Sequence, residues 1–387
     1  MANPRRAIDE LLEVCDCLTG EPPELLILNA SMGHPLSRLY ERVHEVLPTT
    51  AVVAGSCAGV VGREGVSETL NDVAMMAVRG KEVAAVHVDD IYGHNALEKS
   101  RSLAEALRAA NPDAQLIYLL VSGIDINNDE VLQAFEAEFG PRVTLFGATT
   151  SDNMLGLKSF QMHNGQLLEH GAVAVGFSDP DLEAYTCASH GFIATGEPMV
   201  VTSASGIRIF ELDGQPAWQR YLECLGLPPD AKLSDSIPIG AVAEELDAAR
   251  AKAYGNSHIL RVVTQVEGEG VMLYPADIRE GTRLWLTERD EDRIFSDLER
   301  MTSELQGFAG ERKPVAVFQA DCLARGRRLF NRIIKEELVE RMQHPFRDAS
   351  GTPPWLGMYG FGEYAKLSGR NAYHNYTTAL AALYRKS

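Results

Sequence analysis

The chain has 387 residues, of which 45% are hydrophobic and 23% are charged, the composition of a globular protein that buries a sizeable core. This length suits two domains. The formal net charge of −18 argues against nucleic acid or an anionic membrane surface as a partner.

The chain carries no membrane or secretion signal that we can identify. No stretch approaches the roughly 18 consecutive apolar residues of a membrane span. Arg5 and Arg6 are followed by no apolar segment of the kind found in signal peptides. The six cysteines form no C-x-x-C pair, which is typical of reduced thiols. We therefore expect a cytoplasmic protein.

The first part of the chain alternates helical and strand patterns. The spacing of apolar residues predicts a helix over 8–18, a strand over 25–28, a helix over 35–46, a strand over 51–54 and, after a glycine-punctuated loop, a strand over 73–78.

The same order returns twice. The second occurrence has strands over 83–88 and 116–121, helices over 96–110 and 130–139, and further strands over 143–146 and 172–177. The third has a strand over 315–318, a turn over 319–325, a helix over 328–342, a strand over 355–356 and a closing strand over 377–384. This recurrence indicates one unit used three times: strand, turn, helix, strand ending in glycine, polar loop and strand.

The stretch over 185–290 interrupts this pattern with short strands, and the composition shifts near residue 210. We predict an α/β fold of two regions, with repeated strand-helix-strand-strand units, mixed sheets and flanking helices. The predicted boundaries are an N-terminal helix over 1–20, a first region over 21–210 and a second region over 211–387.

Polar side chains cluster at the turns that follow the predicted strands. Because ligands of α/β proteins usually lie beyond the carboxyl ends of strands, we expect these turns to form a ligand site. The candidate ligand-binding residues are Ser56, Cys57, Thr149, Thr150, Cys322, Arg325, Tyr359, Glu363, His374 and Asn375.

Three of these side chains have chemistry that suits an amino-acid-like ligand or another small anion. Arg325 would bind a carboxylate through two parallel hydrogen bonds. Glu363 would accept from an amine, and Tyr359 would supply a stacking face and a hydroxyl. The alternatives remain open: Glu363 could be solvated, His374 could be a satisfied structural histidine, and Asp321 could cap a helix beside a solvated Arg325.

Two cysteines raise the possibility of nucleophilic catalysis. The sequence around Cys57 fits G-x-C-x-G, the cysteine form of a nucleophile elbow, but the residues that follow are poor helix formers. A cysteine-dependent hydrolase that uses Cys57 or Cys322 would need a histidine within hydrogen-bond reach of the thiol. We favour a buried or ligand-facing Cys57 and expect no catalytic residue.

No group of residues has the spacing of a metal site. A haem iron needs only one proximal histidine, so haem stays open, with His374 as one candidate ligand. The rival histidines are His34, His44, His87, His94, His163, His170, His190, His258 and His344.

Several of these motifs resemble the FIST family, sensory domains of bacterial signal transduction that also occur in eukaryotic F-box proteins. The resemblance spans about residues 25–383 and is most specific in the second half. The motifs that carry it are Glu211-Leu212-Asp213-Gly214-Gln215-Pro216-Ala217, Cys322-Leu323-Ala324-Arg325-Gly326, Gly357-Met358-Tyr359-Gly360-Phe361-Gly362-Glu363 and His374-Asn375-Tyr376-Thr377, with weaker matches at Gly55-Ser56-Cys57-Ala58-Gly59 and His190-Gly191. Ala324 is a departure, since the family commonly has glycine there.

The resemblance implies a cytoplasmic sensor with an N-terminal and a C-terminal FIST region that binds a small molecule and signals through a separate partner protein. It also implies an alternative, since some free-standing members are haem proteins that sense nitric oxide and regulate a histidine kinase.

Overall fold

The computed structural model describes residues 3–153, 155–237, 241–268, 270–326 and 332–386. We call residues 4–78 unit one. Its elements are α1 (Pro4–Val14), β1 (Leu25–Ser31), α2 (Leu36–Val46), β2 (Ala51–Cys57), β3 (Val60–Gly62), β4 (Gly65–Ser67) and β5 (Val73–Val78).

Residues 83–177 form unit two, which has the same order of elements with one strand added in front. Its elements are β6 (Val83–Val88), α3 (Ala96–Ala110), β7 (Leu116–Val121), α4 (Asn128–Phe139), β8 (Thr144–Thr149), β9 (Gln161–His163), β10 (Gln166–Leu168) and β11 (Ala172–Phe177).

The rest of the chain begins with one strand, β12 (Leu182–Ser189), and continues into a separate sheet that we call the inserted region. Its elements are β13 (Phe192–Ser205), β14 (Arg208–Leu212), β15 (Gln215–Pro216), α5 (Ala217–Leu225), α6 (Leu233–Ser236), β16 (Val242–Glu245), α7 (Ala248–Tyr254), β17 (His258–Arg261), β18 (Gln265–Glu267), β19 (Val271–Leu273) and β20 (Arg283–Arg289).

Unit three consists of β12 and the elements that follow the inserted region. Those elements are α8 (Glu291–Ala309), β21 (Ala316–Cys322), α9 (Arg332–Gln343), β22 (Trp355–Gly360), β23 (Gly362–Leu367), β24 (Arg370–His374) and β25 (Thr378–Arg385).

Each unit builds its sheet around one central strand. In unit one, β1 pairs in parallel with β2 and antiparallel with β5. In unit two, β7 pairs in the same way with β8 and β11, and in unit three β21 pairs so with β22 and β25. A parallel pair needs a long crossover connection, and α2, α4 and α9 lie in those connections.

The hairpin of each unit leaves its own sheet and joins the sheet of another unit. The β3–β4 hairpin pairs with β22, the β9–β10 hairpin pairs with β2, and the β23–β24 hairpin pairs with β8. Units one, two and three are therefore linked in a closed ring by exchanged hairpins. This exchange brings the ends of β2, β8 and β22 together.

The apolar cores lie on both faces of the three sheets. The inner faces of the three sheets share one apolar cluster, at whose centre the ring of Phe318 lies 5.0 Å from Tyr118 and 5.2 Å from Phe146. Helices cover the outer faces; α1, for example, buries Ile8 and Leu12, which are four residues apart and so share one face. The inserted region has an apolar cluster of its own.

The predicted α/β class is confirmed, but several local predictions are wrong. The helix predicted over 8–18 begins at Pro4 and ends at Val14. The predicted turn over 319–325 is too long, because β21 continues to Cys322 and buries the polar Gln319 and Asp321. The predicted loop after Gly357 contains the rest of β22, β23 and β24. Of the helix predicted over 328–342, residues 328–331 lie outside the described residues. No described helix has both the length and the apolar character needed to cross a membrane.

Candidate functional site

The ends of β2, β8 and β22 are joined by hydrogen bonds just beyond the strands. The Ser56 hydroxyl donates to the Ser151 carbonyl at 2.8 Å, and the Ser151 hydroxyl donates to the Tyr359 carbonyl at 2.7 Å. The backbone N–H of Phe361 donates to the Thr149 carbonyl at 3.1 Å. The predicted turns from the three units therefore meet at one place.

Four of the candidate residues stabilise this junction. Besides donating to Ser151, the Ser56 hydroxyl accepts from the Phe160 N–H, and the Thr150 hydroxyl donates to the Val121 carbonyl at 3.2 Å. The Thr149 hydroxyl lies 3.4 Å from the Gly362 carbonyl. Cys57 is fully buried in the inner core. These contacts join strands, and ligand binding by these four residues remains a prediction.

A buried ion pair lies at the end of β21. Arg325 Nε donates to Asp321 Oδ1 at 3.1 Å, and Arg325 Nη1 donates to the His190 carbonyl at 2.8 Å. Asp321 Oδ2 accepts from the Thr378 hydroxyl at 2.6 Å. Burial raises the pKa of Asp321, and Arg325 is the first of the groups that oppose this rise. A ligand carboxylate would have to share Arg325 with Asp321.

Glu363 lies close to this ion pair but has a very different environment. Its side chain is 0% exposed, and within the described residues neither carboxylate oxygen has a hydrogen-bond partner. Burial raises the pKa of Glu363 well above its ordinary value, and the Asp321 carboxylate raises it further. The positive charge of Arg325 opposes the rise most, followed by the Thr377 N–H and the Cys322 thiol, but neither of the last two reaches hydrogen-bonding geometry.

Asn375, which follows β24, carries a further unsatisfied acceptor. Its Nδ2 donates to the Phe361 carbonyl at 3.1 Å and to the Tyr373 hydroxyl at 3.3 Å. Its Oδ1 is buried and has no partner within the described residues. Glu363 is paired in register with His374, the residue before Asn375.

The β23–β24 hairpin holds these acceptors in place through close packing. A Cβ on Gly362 would lie 2.0 Å from the Tyr373 hydroxyl, so a larger residue there would displace the tyrosine. That hydroxyl contacts Thr149 at 3.4 Å as well as Asn375. The glycine before Glu363 is thus required by the packing of the site.

His374 does not fit the role of a haem ligand. Its ring is 0% exposed, its Nδ1 lies 3.3 Å from the Tyr254 hydroxyl, and its Nε2 lies 3.4 Å from the Ala365 carbonyl. Burial and the nearby Arg261 lower the pKa of His374 to about 3. An iron ligand needs one ring nitrogen facing the metal, and both nitrogens of this neutral imidazole have protein partners.

The cysteines do not form the pair that a cysteine hydrolase needs. Burial raises the pKa of Cys57 to about 12 and that of Cys322 well above its ordinary value. The Cys322 sulfur lies 3.9 Å from the Phe361 carbonyl. No hydrogen bond among the described residues joins a cysteine thiol to a histidine. The strand β3, rather than a helix, follows Cys57.

Tyr359 lies on the opposite face of the unit-three sheet from the inner core, packed beneath α8 and α9. Burial raises its pKa well above the ordinary value, and the carboxylates of Asp321 and Glu68 raise it further. Glu68 forms a second buried ion pair, with Lys335. Tyr359 therefore lies between two buried ion pairs.

The structure thus brings Cys322, Arg325, Glu363, His374 and Asn375 together at one end of the ring. Sequence reasoning omitted Asp321 and Tyr254 from the site. A carboxylate inside the strand that leads to Cys322 could have identified Asp321. Tyr254 comes from the inserted region, more than a hundred positions away along the chain, and no local pattern marks it.

Models of two protein families match the chain. The FIST N domain matches residues 24–215 and the FIST C domain matches residues 217–366. The chain belongs to the FIST family. FIST domains are sensory domains of signal transduction, which supports the sensory part of the predicted function.

Individual relatives do not name a ligand. The FIST chain is similar to an uncharacterised protein of Mycobacterium tuberculosis, with 24% identity over 386 residues, covering 97% of this chain and 95% of that protein. An uncharacterised protein of Mycobacterium bovis is 24% identical over 381 residues, covering 97% and 94%. One from Methanocaldococcus jannaschii is 26% identical over 211 residues, covering 51% of this chain and 38% of that protein.

Proposed function

We propose that this FIST chain is a sensory protein that binds a small amine-bearing, amino-acid-like molecule at Glu363 and signals through a separate partner protein. The observation that carries this proposal is the buried Glu363 carboxyl group, neither of whose oxygens has a hydrogen-bond partner within the described residues. A buried polar group normally has a hydrogen-bond partner, so an unpartnered buried carboxyl group favours a ligand that supplies donors.

A protonated amine has the matching chemistry. An ammonium group has three N–H donors and a positive charge, so it can donate to both Glu363 oxygens and neutralise the carboxylate charge. The pKa of Glu363 is raised by burial, so burial favours the neutral form of its carboxyl group. A bound cation favours the carboxylate, so binding of the amine is coupled to release of the Glu363 proton.

The carboxylate of an amino-acid-like ligand would compete for Arg325, which already contacts Asp321 and the His190 carbonyl. Arg325 reaches a ligand carboxylate only by sharing its guanidinium. The amine is therefore the group whose recognition the geometry supports best, and binding by Arg325 is the second step to test.

A thermal-shift screen of the proteinogenic amino acids, each beside its N-acetylated form, tests this proposal. We expect at least one free amino acid to raise the melting temperature and its N-acetylated form to have no effect. Glu363→Gln should abolish the shift, whereas Glu64→Gln, which changes an exposed glutamate, should retain it. Equal shifts from free and N-acetylated forms would mean that Glu363 does not recognise an amine.

A further inference from the structure

Strand β5 is the edge strand of its sheet, whereas the corresponding strands of the other two units lie inside their sheets. In unit two the closing strand β11 is flanked by β6, and in unit three the closing strand β25 is flanked by β12. Unit one has no such leading strand among the described residues, and its sheet runs β10-β9-β2-β1-β5. One edge of β5 therefore lacks the neighbour that its counterparts have.

The register of β5 on β1 shows which backbone groups face the open edge. The N–H of Ser31 donates to the carbonyl of Asp72 at 2.9 Å, so Asp72 faces β1. Bonding residues alternate along an antiparallel strand, so the N–H and C=O groups of Val73, Met75 and Ala77 point away from β1. The segment after α1 contacts this edge through side chains: the Cys15 thiol lies 4.0 Å from the Met75 carbonyl, and Arg79 Nη2 donates to the Asp16 carbonyl at 2.7 Å. Neither contact is a strand pairing.

Strand β5 itself carries neither of two features that commonly protect an edge strand. From Val73 to Val78 the sequence is Val-Ala-Met-Met-Ala-Val, with no charge and no proline. The residues beside Cys15 add apolar surface, since Val14 is 77% exposed and Leu18 is 53% exposed. An uncharged strand edge next to exposed apolar side chains is typical of an interface.

Charges at the two ends of β5 indicate which strand fits this edge. Asp72 precedes the strand, and Arg79 and Lys81 follow it. Consider two antiparallel β5 strands paired so that Met75 of one copy lies opposite Met75 of the other. Asn71 of one copy then lies opposite Arg79 of the other, and Asp72 is one position from Asn71 along the strand. The acidic start of each copy is then close to the basic end of its partner.

We propose that β5 pairs with β5 of a second copy of this chain, forming a two-fold dimer whose sheet is continuous across both copies. Val73, Met75 and Ala77 would supply the backbone hydrogen bonds, and Val14 and Leu18 would pack beside them. Such an interface is isologous, because the same surface serves both copies. The proposal does not depend on the ligand at Glu363.

Sedimentation velocity over a concentration series, combined with amide hydrogen exchange, tests the dimer. We expect a reversible dimer in which the amides of Val73, Met75 and Ala77 become protected as the concentration rises. Leu18→Glu should weaken dimerisation about tenfold, since it places two charges in an apolar interface. Ala77→Pro should also weaken it, because it removes an N–H that faces away from β1.

Leu167→Glu is the matched control, since Leu167 is 49% exposed on β10 at the opposite end of the same sheet. It should leave the dimer unchanged. If Ala77→Pro fails to fold, Leu18→Glu still tests the surface. A chain that stays monomeric at every concentration, a dimer without protection of residues 73–77, or equal weakening by Leu167→Glu overturns the proposal.

Discussion

Two buried acidic groups at one end of the ring differ in how far their polar atoms are satisfied. Asp321 has an ion pair with Arg325 and a hydrogen bond from Thr378. Glu363 is at least as deeply buried and has no hydrogen-bond partner within the described residues. A satisfied buried carboxylate stabilises the protein that contains it, whereas an unsatisfied one is retained at a cost in stability, which favours a functional role.

Replacing Asp321 should have the largest effect. Asp321→Ala breaks the buried ion pair with the Arg325 guanidinium, so we expect the free energy of unfolding to fall by about 3–5 kcal/mol. Urea denaturation measures this. Asp348→Ala, which removes the exposed partner of Lys313, should have little effect. Equal effects of the two variants would mean that the Asp321 pair does not stabilise the core.

His374 should make the protein sensitive to acid. Its pKa is lowered to about 3 by burial, so its contribution to stability is complete above the ordinary histidine pKa of about 6.5 and is lost as the pH falls towards 3. His374→Gln should therefore lose less stability than the wild type between pH 7 and pH 4. Denaturant titrations at both pH values test this, and identical losses would contradict it.

Glu363 should show the opposite pH dependence, because its pKa is raised. Its contribution to stability is present at low pH and is lost as the pH rises from the ordinary glutamate pKa towards the folded-state value. We expect the stability of Glu363→Gln relative to the wild type to increase with pH, reaching an advantage of about 1–3 kcal/mol at pH 8. The same denaturant titrations measure this difference without ligand. A difference independent of pH would indicate that Glu363 has a hidden partner.

Tyr254 should give the smallest effect. Tyr254→Phe removes the hydroxyl that lies 3.3 Å from His374 Nδ1, and we expect a loss of about 0.5–1.5 kcal/mol in the free energy of unfolding. Tyr185→Phe is a suitable control, since the Tyr185 hydroxyl makes no hydrogen bond within the described residues. If both variants are equally stable, the contact between Tyr254 and His374 contributes little.

The sequence by itself determined the α/β class and the three-fold recurrence of strands and helices, because apolar periodicity and glycine turns are local signals. It also identified the turns that follow the strands, since polar residues after a buried strand are visible in the chain. These local signals are sufficient to identify Cys322, Arg325, Glu363, His374 and Asn375 as candidate ligand-binding residues.

Only the tertiary structure decided what each candidate does. Whether a carboxylate is paired depends on residues far away in sequence, and Arg325 finds its second partner at His190, in the segment that leads into the inserted region. The exchange of hairpins between units, the contact of Tyr254 with His374 and the open edge of β5 also depend on long-range packing. The sequence therefore specified the elements and their polar ends, and the packing of the units decided which polar groups find hydrogen-bond partners among the described residues.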